Sequence, residues 1–287
     1  MADRASPSGV RDLLRRYAVF PKKRLGQNFL VDRNILVKIA ESCDIDDQQY
    51  LLEIGPGLGG LTQELARRCR GVLAVELDTG LEPLLTELAR ETGNVKLLFS
   101  DILKLDLETE MDNAFPDPGL DSYKVCANIP YNITTPIIFK LLEQCPRMAS
   151  ATLMMQKEVG ERLMASPGGK DYGRLTIMAG YYAHLDLIMH VSRNCFYPRP
   201  EVDSVVIKLT PRQHPIAQVN SESAFKDFVN AAFQKRRKTI LNIASEFFAA
   251  NKADTQMKIE GIGLQPNLRP ENLSLLEIIM LVNSFTP

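Results

Sequence analysis

From Tyr50 to about Leu209 short apolar runs alternate with longer amphipathic segments, a rhythm that predicts βα units on a largely parallel sheet and an α/β fold. The predicted strands are Leu51 to Ile54, Gly71 to Val75, Val95 to Phe99, Tyr123 to Ala127, Ala151 to Met155 and Val205 to Leu209, with helices such as Leu61 to Arg68 and Leu81 to Arg90 between them. Ahead of these, Arg11 to Asp44 is predicted helical around a loop at Pro21 to Asn28, because Ile35, Leu36, Ile39 and Ala40 recur at helical spacing. Such a segment can fold over the sheet edge as a lid. After Pro211 a polar linker (Pro215, Asn220, Ser221) leads into purely helical periodicity: Phe225, Phe228, Val229, Ala232 and Phe233, then Ile240, Leu241 and Ile243 to Phe248, then Leu275 to Phe285. The pattern divides the chain into a basic segment and helical lid (1–49), an α/β domain (50–211) and a small all-helical domain (212–287). Asp106 to Asp121 is an acidic, proline-containing insertion for which no element is predicted.

A chain of 287 residues, 45% hydrophobic and 24% charged, can bury a full core in one large domain with a small partner. No apolar run approaches the roughly 18 residues of a membrane span, and no apolar core follows the basic N-terminus, so a cytoplasmic protein without membrane contact is expected. The five cysteines lie far apart with no Cys-x-x-Cys spacing, which predicts reduced, buried thiols. His184, His190 and His214 lack ligand spacing, and no metal site is expected. The net charge of −1 hides two basic patches. Residues 1–24 carry Arg4, Arg11, Arg15, Arg16, Lys22, Lys23 and Arg24 against Asp3 and Asp12, and Lys235-Arg236-Arg237-Lys238 is unbroken. Either patch can grip a phosphate backbone or be a solvated face.

Candidate chemistry begins at Gly55-Pro56-Gly57-Leu58-Gly59-Gly60, a glycine-rich turn between a predicted strand and helix that also matches the dinucleotide fingerprint of nicotinamide enzymes. Glu76, at the end of the next strand, suits ribose hydroxyls under either reading. Glu53 before the turn and Asp101 after the third strand separate the two, since extra acids repel a pyrophosphate and attract a cationic sulfonium such as S-adenosylmethionine. Further on, Asn128-Ile129-Pro130-Tyr131 stands at a strand end, where the Asn128 oxygen and the Ile129 carbonyl can each accept one hydrogen of a flat amine. The exocyclic nitrogen of adenine is a poor nucleophile, and two acceptors favour the tetrahedral form that attacks a methyl group. Tyr131 can stack on an extruded base. In Asn194 to Ser204 the prolines Pro198 and Pro200 hold an extended loop whose Phe196 can form a second wall around that base or belong to the core. The same Asn-x-Pro-Tyr motif alone is compatible with an ordinary turn.

At these residues the chain resembles the bacterial small-subunit ribosomal RNA adenine dimethyltransferases of the KsgA/RsmA type, from about Tyr17 to the C-terminus. The resemblance rests on Lys23 to Leu30, Glu53 to Thr62, Val75 to Asp78, Ser100-Asp101-Ile102, Asn128 to Tyr131, Gln156 to Val159, Asn194 to Ser204 and Phe233 to Thr239. It implies a Rossmann-like methyltransferase fold with a small helical C-terminal domain, and S-adenosylmethionine as methyl donor. It also implies dimethylation of two adjacent adenosines in the 3′-terminal hairpin of small-subunit ribosomal RNA, within a late small-subunit (30S) assembly particle. By resemblance Asn28, Leu30, Gly55, Gly57, Glu76, Asp101 and Asn128 line the donor site, and Asn128, Tyr131 and Phe196 surround the adenine. Lys22, Lys23, Arg24 and Lys235, Arg236, Arg237 and Lys238 are then the expected RNA phosphate contacts. The chain is expected to be a monomer, and the extension before Tyr17 receives no role. Related enzymes that methylate large-subunit RNA, DNA adenine methyltransferases and an assembly checkpoint acting by occupancy are the rival readings.

Overall fold

The computed structural model describes residues 3–130 and 133–286 and divides into two compact units, residues 1–160 with 185–211 and residues 161–184 with 212–287. In chain order the elements are α1 (Pro7–Arg16), β1 (Phe29–Leu30), α2 (Arg33–Ser42), β2 (Tyr50–Ile54), α3 (Gly60–Ala66), β3 (Gly71–Glu76), α4 (Glu82–Thr92), β4 (Val95–Phe99), α5 (Leu107–Ala114) and β5 (Tyr123–Asn128). There follow α6 (Thr134–Gln144), β6 (Met148–Gln156), α7 (Lys157–Leu163), α8 (Arg174–Tyr182), β7 (Ala183–Val191), β8 (Phe196–Tyr197) and β9 (Ser204–Pro211). The second unit continues with α9 (Glu222–Gln234), α10 (Ile240–Phe247), α11 (Lys252–Gly261) and α12 (Leu275–Asn283).

The six predicted strands all form, and they enter one seven-stranded sheet in the order β4-β3-β2-β5-β6-β9-β7. β2 pairs in parallel with β3 and β5, β3 with β4 and β5 with β6, while β6 and β9 are antiparallel. Every residue of β2 and β3 is buried, as a parallel sheet covered on both faces demands. The chain runs outward from β2 through β3 to β4 and then crosses back to β5, so the order reverses between β2 and β5. Ligands of open α/β sheets bind outside the strand ends at such a reversal.

The N-terminal segment is part of this unit. Ser6 caps α1 by accepting from Gly9 N, with Pro7 at the first helical position. Val10, Leu13 and Leu14 of that helix then bury with Val19 and Phe29 against Leu81, Leu84, Leu85 and Leu88 of and before α4. Asp106 caps α5 inside the acidic insertion, through Glu108 N and Thr109 N. Residues 161–184, read from the sequence as α/β domain, group instead with the helical unit. The aromatic spacing explains it: Tyr181 packs on Phe225 with centroids 4.8 Å apart, and the Tyr172 hydroxyl donates to Leu273 O at 2.8 Å. β7 was not expected, because most of its residues are exposed and carry no apolar alternation.

Candidate active site

The site forms where β2, β3 and β5 end. Leaving β2, the chain turns through Gly55 (φ +70°) and Gly57 (φ +56°), a left-handed backbone that only glycine adopts freely. A side chain at Gly57 would also press on the Phe29 ring, which a Cβ would meet at 3.2 Å. This turn places Gly57 N 3.1 Å from Glu76 Oε2, while Asp78 N donates to Glu76 Oε1 at 2.8 Å. Burial raises the Glu76 pKa, and these amides oppose the rise. One donor on each oxygen aims the carboxylate and leaves lone pairs on both.

Glu53, 1% exposed, is held differently. Burial pushes its carboxyl up to about 8, opposed by the Thr62 hydroxyl and reinforced by the charge of Glu76. Thr62 is near enough to be felt but makes no hydrogen bond, since Glu53 Oε2 and Thr62 Oγ1 are both buried without a partner. Asp101 follows β4 and caps a short 3₁₀ turn through Leu103 N at 3.1 Å. Asn128 closes β5, and its Nδ2 donates to the backbone oxygen of Asn28 at 3.3 Å. The Asn28 side chain is itself tied to Gly26 O at 3.1 Å. After it, Ile129 N is held by Met154 O on β6 at 3.0 Å, and Pro130 O accepts from Ile133 N and the Thr134 hydroxyl.

One cavity joins these groups. Asn28, Leu30, Gly55, Gly57, Glu76, Asp101 and Asn128, the seven residues expected around the donor, all line it, with Glu53 among them. Tyr131 lies outside the described residues. Phe196 is not in the lining: β8 pairs with β1 so that Phe196 faces Leu30 and Tyr197 faces Phe29. Strand alternation sends Phe196 inward, where it is 4% exposed in a cluster with Leu30, Leu36 and Met154. In this geometry it supports the wall from behind and does not form its face.

The predicted phosphate contacts separate into paired and exposed. The Lys22 ammonium is bound by the buried Asp78, which also accepts from Gln27 Nε2 at 2.8 Å and Gly80 N at 3.0 Å. Burial alone would raise the Asp78 pKa, yet these partners together hold it below the usual range. Lys23 and Arg24 are exposed. In the other run Lys235 and Lys238 both pair with Glu246, and Arg236 pairs with Glu271 at 3.1 Å, while Arg237 is exposed.

Lining residues to which the sequence assigned no role in the site include Leu77, Ile102 and Arg4. Leu77 is 51% exposed, and an apolar side chain left open between Glu76 and Asp78 at a strand end was the signal available. Ile102 lines the same cavity beside Asp101. Arg4 is 1% exposed, and its Nη1 donates to Leu58 O at 2.7 Å. Nothing in the first residues marked Arg4 out, because its burial depends on α1 docking on α4. The cavity thus offers acids to hydroxyls or a cation, apolar faces to a flat ring, and an oriented amide in its lining. Among the described residues no cluster of metal-ligating side chains occurs.

Comparison with known proteins bears on this geometry. A sequence profile described as Ribosomal RNA adenine dimethylase matches residues 20–286. A protein of Geobacillus thermodenitrificans called Ribosomal RNA small subunit methyltransferase A is 41% identical over 288 aligned positions, which cover 99% of this chain and 98% of that protein. One of Bacillus cereus with the same name is 41% identical at the same coverage. Among solved structures, a dimethyladenosine transferase from Plasmodium falciparum superposes with a TM-score of 0.73 at 26% identity, covering 88% of this chain and 95% of the other. The 23S rRNA methyltransferase ErmE superposes with a TM-score of 0.68 at 26% identity, covering 90% and 99%.

Proposed function

This chain belongs to the ribosomal RNA adenine dimethylase family and is an S-adenosylmethionine-dependent ribosomal RNA adenine methyltransferase, and from that premise we propose its substrate and the work of each residue. The substrate is two adjacent adenosines in the 3′-terminal hairpin of small-subunit ribosomal RNA. Each is methylated twice on its exocyclic nitrogen, by a monomer acting in the cytoplasm on a late small-subunit particle.

S-adenosylmethionine, when bound, supplies a methyl group activated on a sulfonium. The cavity fits such a donor: Gly55 and Gly57 leave backbone bare, Leu77 and Ile102 offer apolar faces to an adenine ring, and the Glu76 carboxylate is already aimed. Glu76 accepts from ribose hydroxyls, each bond worth roughly 1.5 to 3 kcal/mol to a charged group. Asp101 accepts from the donor's ring amine, and Glu53 balances positive charge.

The observation that carries the proposal is the tether of Asn128. With Nδ2 engaged by Asn28 O, the amide presents Oδ1 to an incoming amine. Oδ1 and the Ile129 carbonyl each accept one amino hydrogen of adenine and pull its nitrogen toward the tetrahedral form. With the donor bound, that nitrogen would take the methyl carbon as the carbon–sulfur bond breaks, the thioether would leave as S-adenosylhomocysteine, and the proton would pass to solvent after transfer. Tyr131 stacks on the extruded base, an interaction worth about 1 to 3 kcal/mol. Lys23, Arg24 and Arg237 contact RNA phosphates without reading bases.

The test is incubation with labelled S-adenosylmethionine and unmethylated small ribosomal subunits, followed by mass analysis of the digested RNA. Dimethyladenosine in the 3′-terminal hairpin, absent with Asn128→Ala, is the expected result. Label confined to large-subunit RNA in a parallel reaction would overturn the substrate assignment.

A further inference from the structure

The segment that carries Leu25 to Leu30 into the cavity wall is bracketed by two aromatic side chains that folding leaves open to water, one almost wholly and one in part. Phe20 is 79% exposed, the most open large hydrophobic side chain among the described residues. Its exposure is built in. Ala18 takes φ +51°, an unusual angle for a residue with a Cβ, and Val19 N then bonds back to Leu14 O at 2.9 Å. Val19 is thereby buried with the α4 leucines, and the next residue turns outward. Pro21 restricts Phe20 to extended backbone, so the ring is presented on a stiff mount. The second ring, Tyr197, is 37% exposed and sits directly opposite the cavity-lining Phe29 across the β1–β8 ladder.

Cations accompany both rings. Lys23 and Arg24 follow Phe20, and Arg199 follows Tyr197; all three are exposed, and no carboxylate pairs with them among the described residues. Lys22, between Phe20 and Lys23, is the one bound internally, by Asp78. A protein partner calls for a contiguous apolar core depleted of lysine. Isolated rings with unpaired cations beside them match the way single-stranded nucleic acid is held, bases stacked on rings and phosphates on charges.

We propose that Phe20 and Tyr197 are stacking platforms for the unpaired nucleotides that flank the adenosine held at Asn128, with Lys23, Arg24 and Arg199 on their phosphates. The inference rests on the proposed function and adds to it the track along which the RNA strand lies. Phe20 is five residues from Leu25 at the cavity wall, no farther than about 17 Å along an extended chain, a span of a few nucleotides. Stacking is indifferent to base identity, so the track holds the strand without choosing its sequence.

The experiment titrates a fluorescein-labelled RNA hairpin, with two adjacent unpaired adenosines in its loop, into the full-length protein at several salt concentrations. Wild type, Phe20→Ala, Phe20→Trp, Tyr197→Ala and Arg24→Ala are compared, and S-adenosylhomocysteine affinity is measured on each. Phe20→Ala and Tyr197→Ala should each weaken RNA binding about 5- to 150-fold with an unchanged salt slope, and Phe20→Trp should restore it. Arg24→Ala should weaken binding and lower the slope by about one. S-adenosylhomocysteine affinity should stay as in wild type throughout. RNA affinities of both alanine variants within about twofold of wild type would overturn the track, as would a Phe20→Ala protein that loses both ligands together. A wild type that binds S-adenosylhomocysteine but not the hairpin also overturns the track and leaves the donor site standing. Failure of wild type to bind S-adenosylhomocysteine would strike the donor-site reading itself.

Discussion

The cavity at the ends of β2, β3 and β5 and the basic turn between α9 and α10 both concentrate charge, and they hold it in opposite ways. In the cavity Glu53 and Glu76 are buried, and Glu76 is gripped by backbone amides that come with the fold. In the turn Lys235, Arg236 and Lys238 are partnered by side chains, Glu246 and Glu271, at or near the surface. Backbone donors cannot rotate away, so the cavity is prepared for its ligand before the ligand arrives. Surface ion pairs are worth about 0 to 1 kcal/mol and can be exchanged for RNA phosphates. A run of charge in a sequence is therefore not a run of available charge; in this turn Arg237 is the exposed member whose guanidinium no acid engages among the described residues.

The largest test of that contrast falls on the cavity. Asn128→Ala should lower single-turnover methylation by about 10²- to 10³-fold while S-adenosylhomocysteine still binds, the size of effect seen when an oriented polar group at a reacting centre is removed. Glu76→Ala should weaken S-adenosylhomocysteine by about 10- to 150-fold for each bond lost, measured by calorimetry, since a bond to a charged acceptor is worth roughly 1.5 to 3 kcal/mol. A change of only twofold would mean that the anchoring by Gly57 and Asp78 is structural alone. Gly57→Ala should fall just below it in donor affinity, because the new methyl group faces Phe29 in a left-handed backbone.

Glu53 provides a pH signature that the surface turn cannot share. Its folded pKa, about 8, lies above the ordinary value, so its contribution to stability is complete at low pH and is lost as pH rises toward and through 8. Wild type without ligand should therefore lose melting temperature between about pH 5 and pH 8 relative to Glu53→Gln. Binding of a sulfonium favours the ionised form, so preference for S-adenosylmethionine over the uncharged-sulfur product should grow across the same interval. The smallest effects belong to the turn: Arg237→Ala should reduce RNA affinity a few-fold and lower the salt slope by about one, and Lys235→Ala should do less. Equal losses from the two would erase the distinction between paired and available cations.

Much of this arrangement was legible in the sequence, for physical reasons that can be named. Strands buried on both faces read as continuous apolar runs, and the six that were read form as expected. Of the residues expected around the donor, Gly55, Gly57, Glu76, Asp101 and Asn128 fall at strand ends and a glycine turn, where local chemistry dictates position, Asn28 and Leu30 came from the family resemblance, and all seven line one cavity. What could not be read depends on distant contacts. Phe196 looked as available as Tyr197 until the pairing with β1 decided which of them faces inward. Lys22 looked like its neighbours until Asp78 claimed it. Residues 161–184 follow the α/β domain in sequence, and only their packing with Phe225 and Leu273 assigns them to the helical unit.

The two-residue ladder of β1 and β8 has a consequence for how the protein comes into being. All the polar groups gathered at the cavity precede β6 or lie within it, and the central parallel strands can pair as soon as they are made. Phe29 and Leu30, however, wait for Phe196 and Tyr197, which leave the ribosome well over a hundred residues later. At ordinary elongation rates that interval is on the order of ten seconds. During it a nascent chain owns the acids and glycines of the cavity but lacks one wall. An enzyme that acts on ribosomal RNA, while still attached to a ribosome that is itself built of such RNA, thus gains that wall only after most of its first unit has been made.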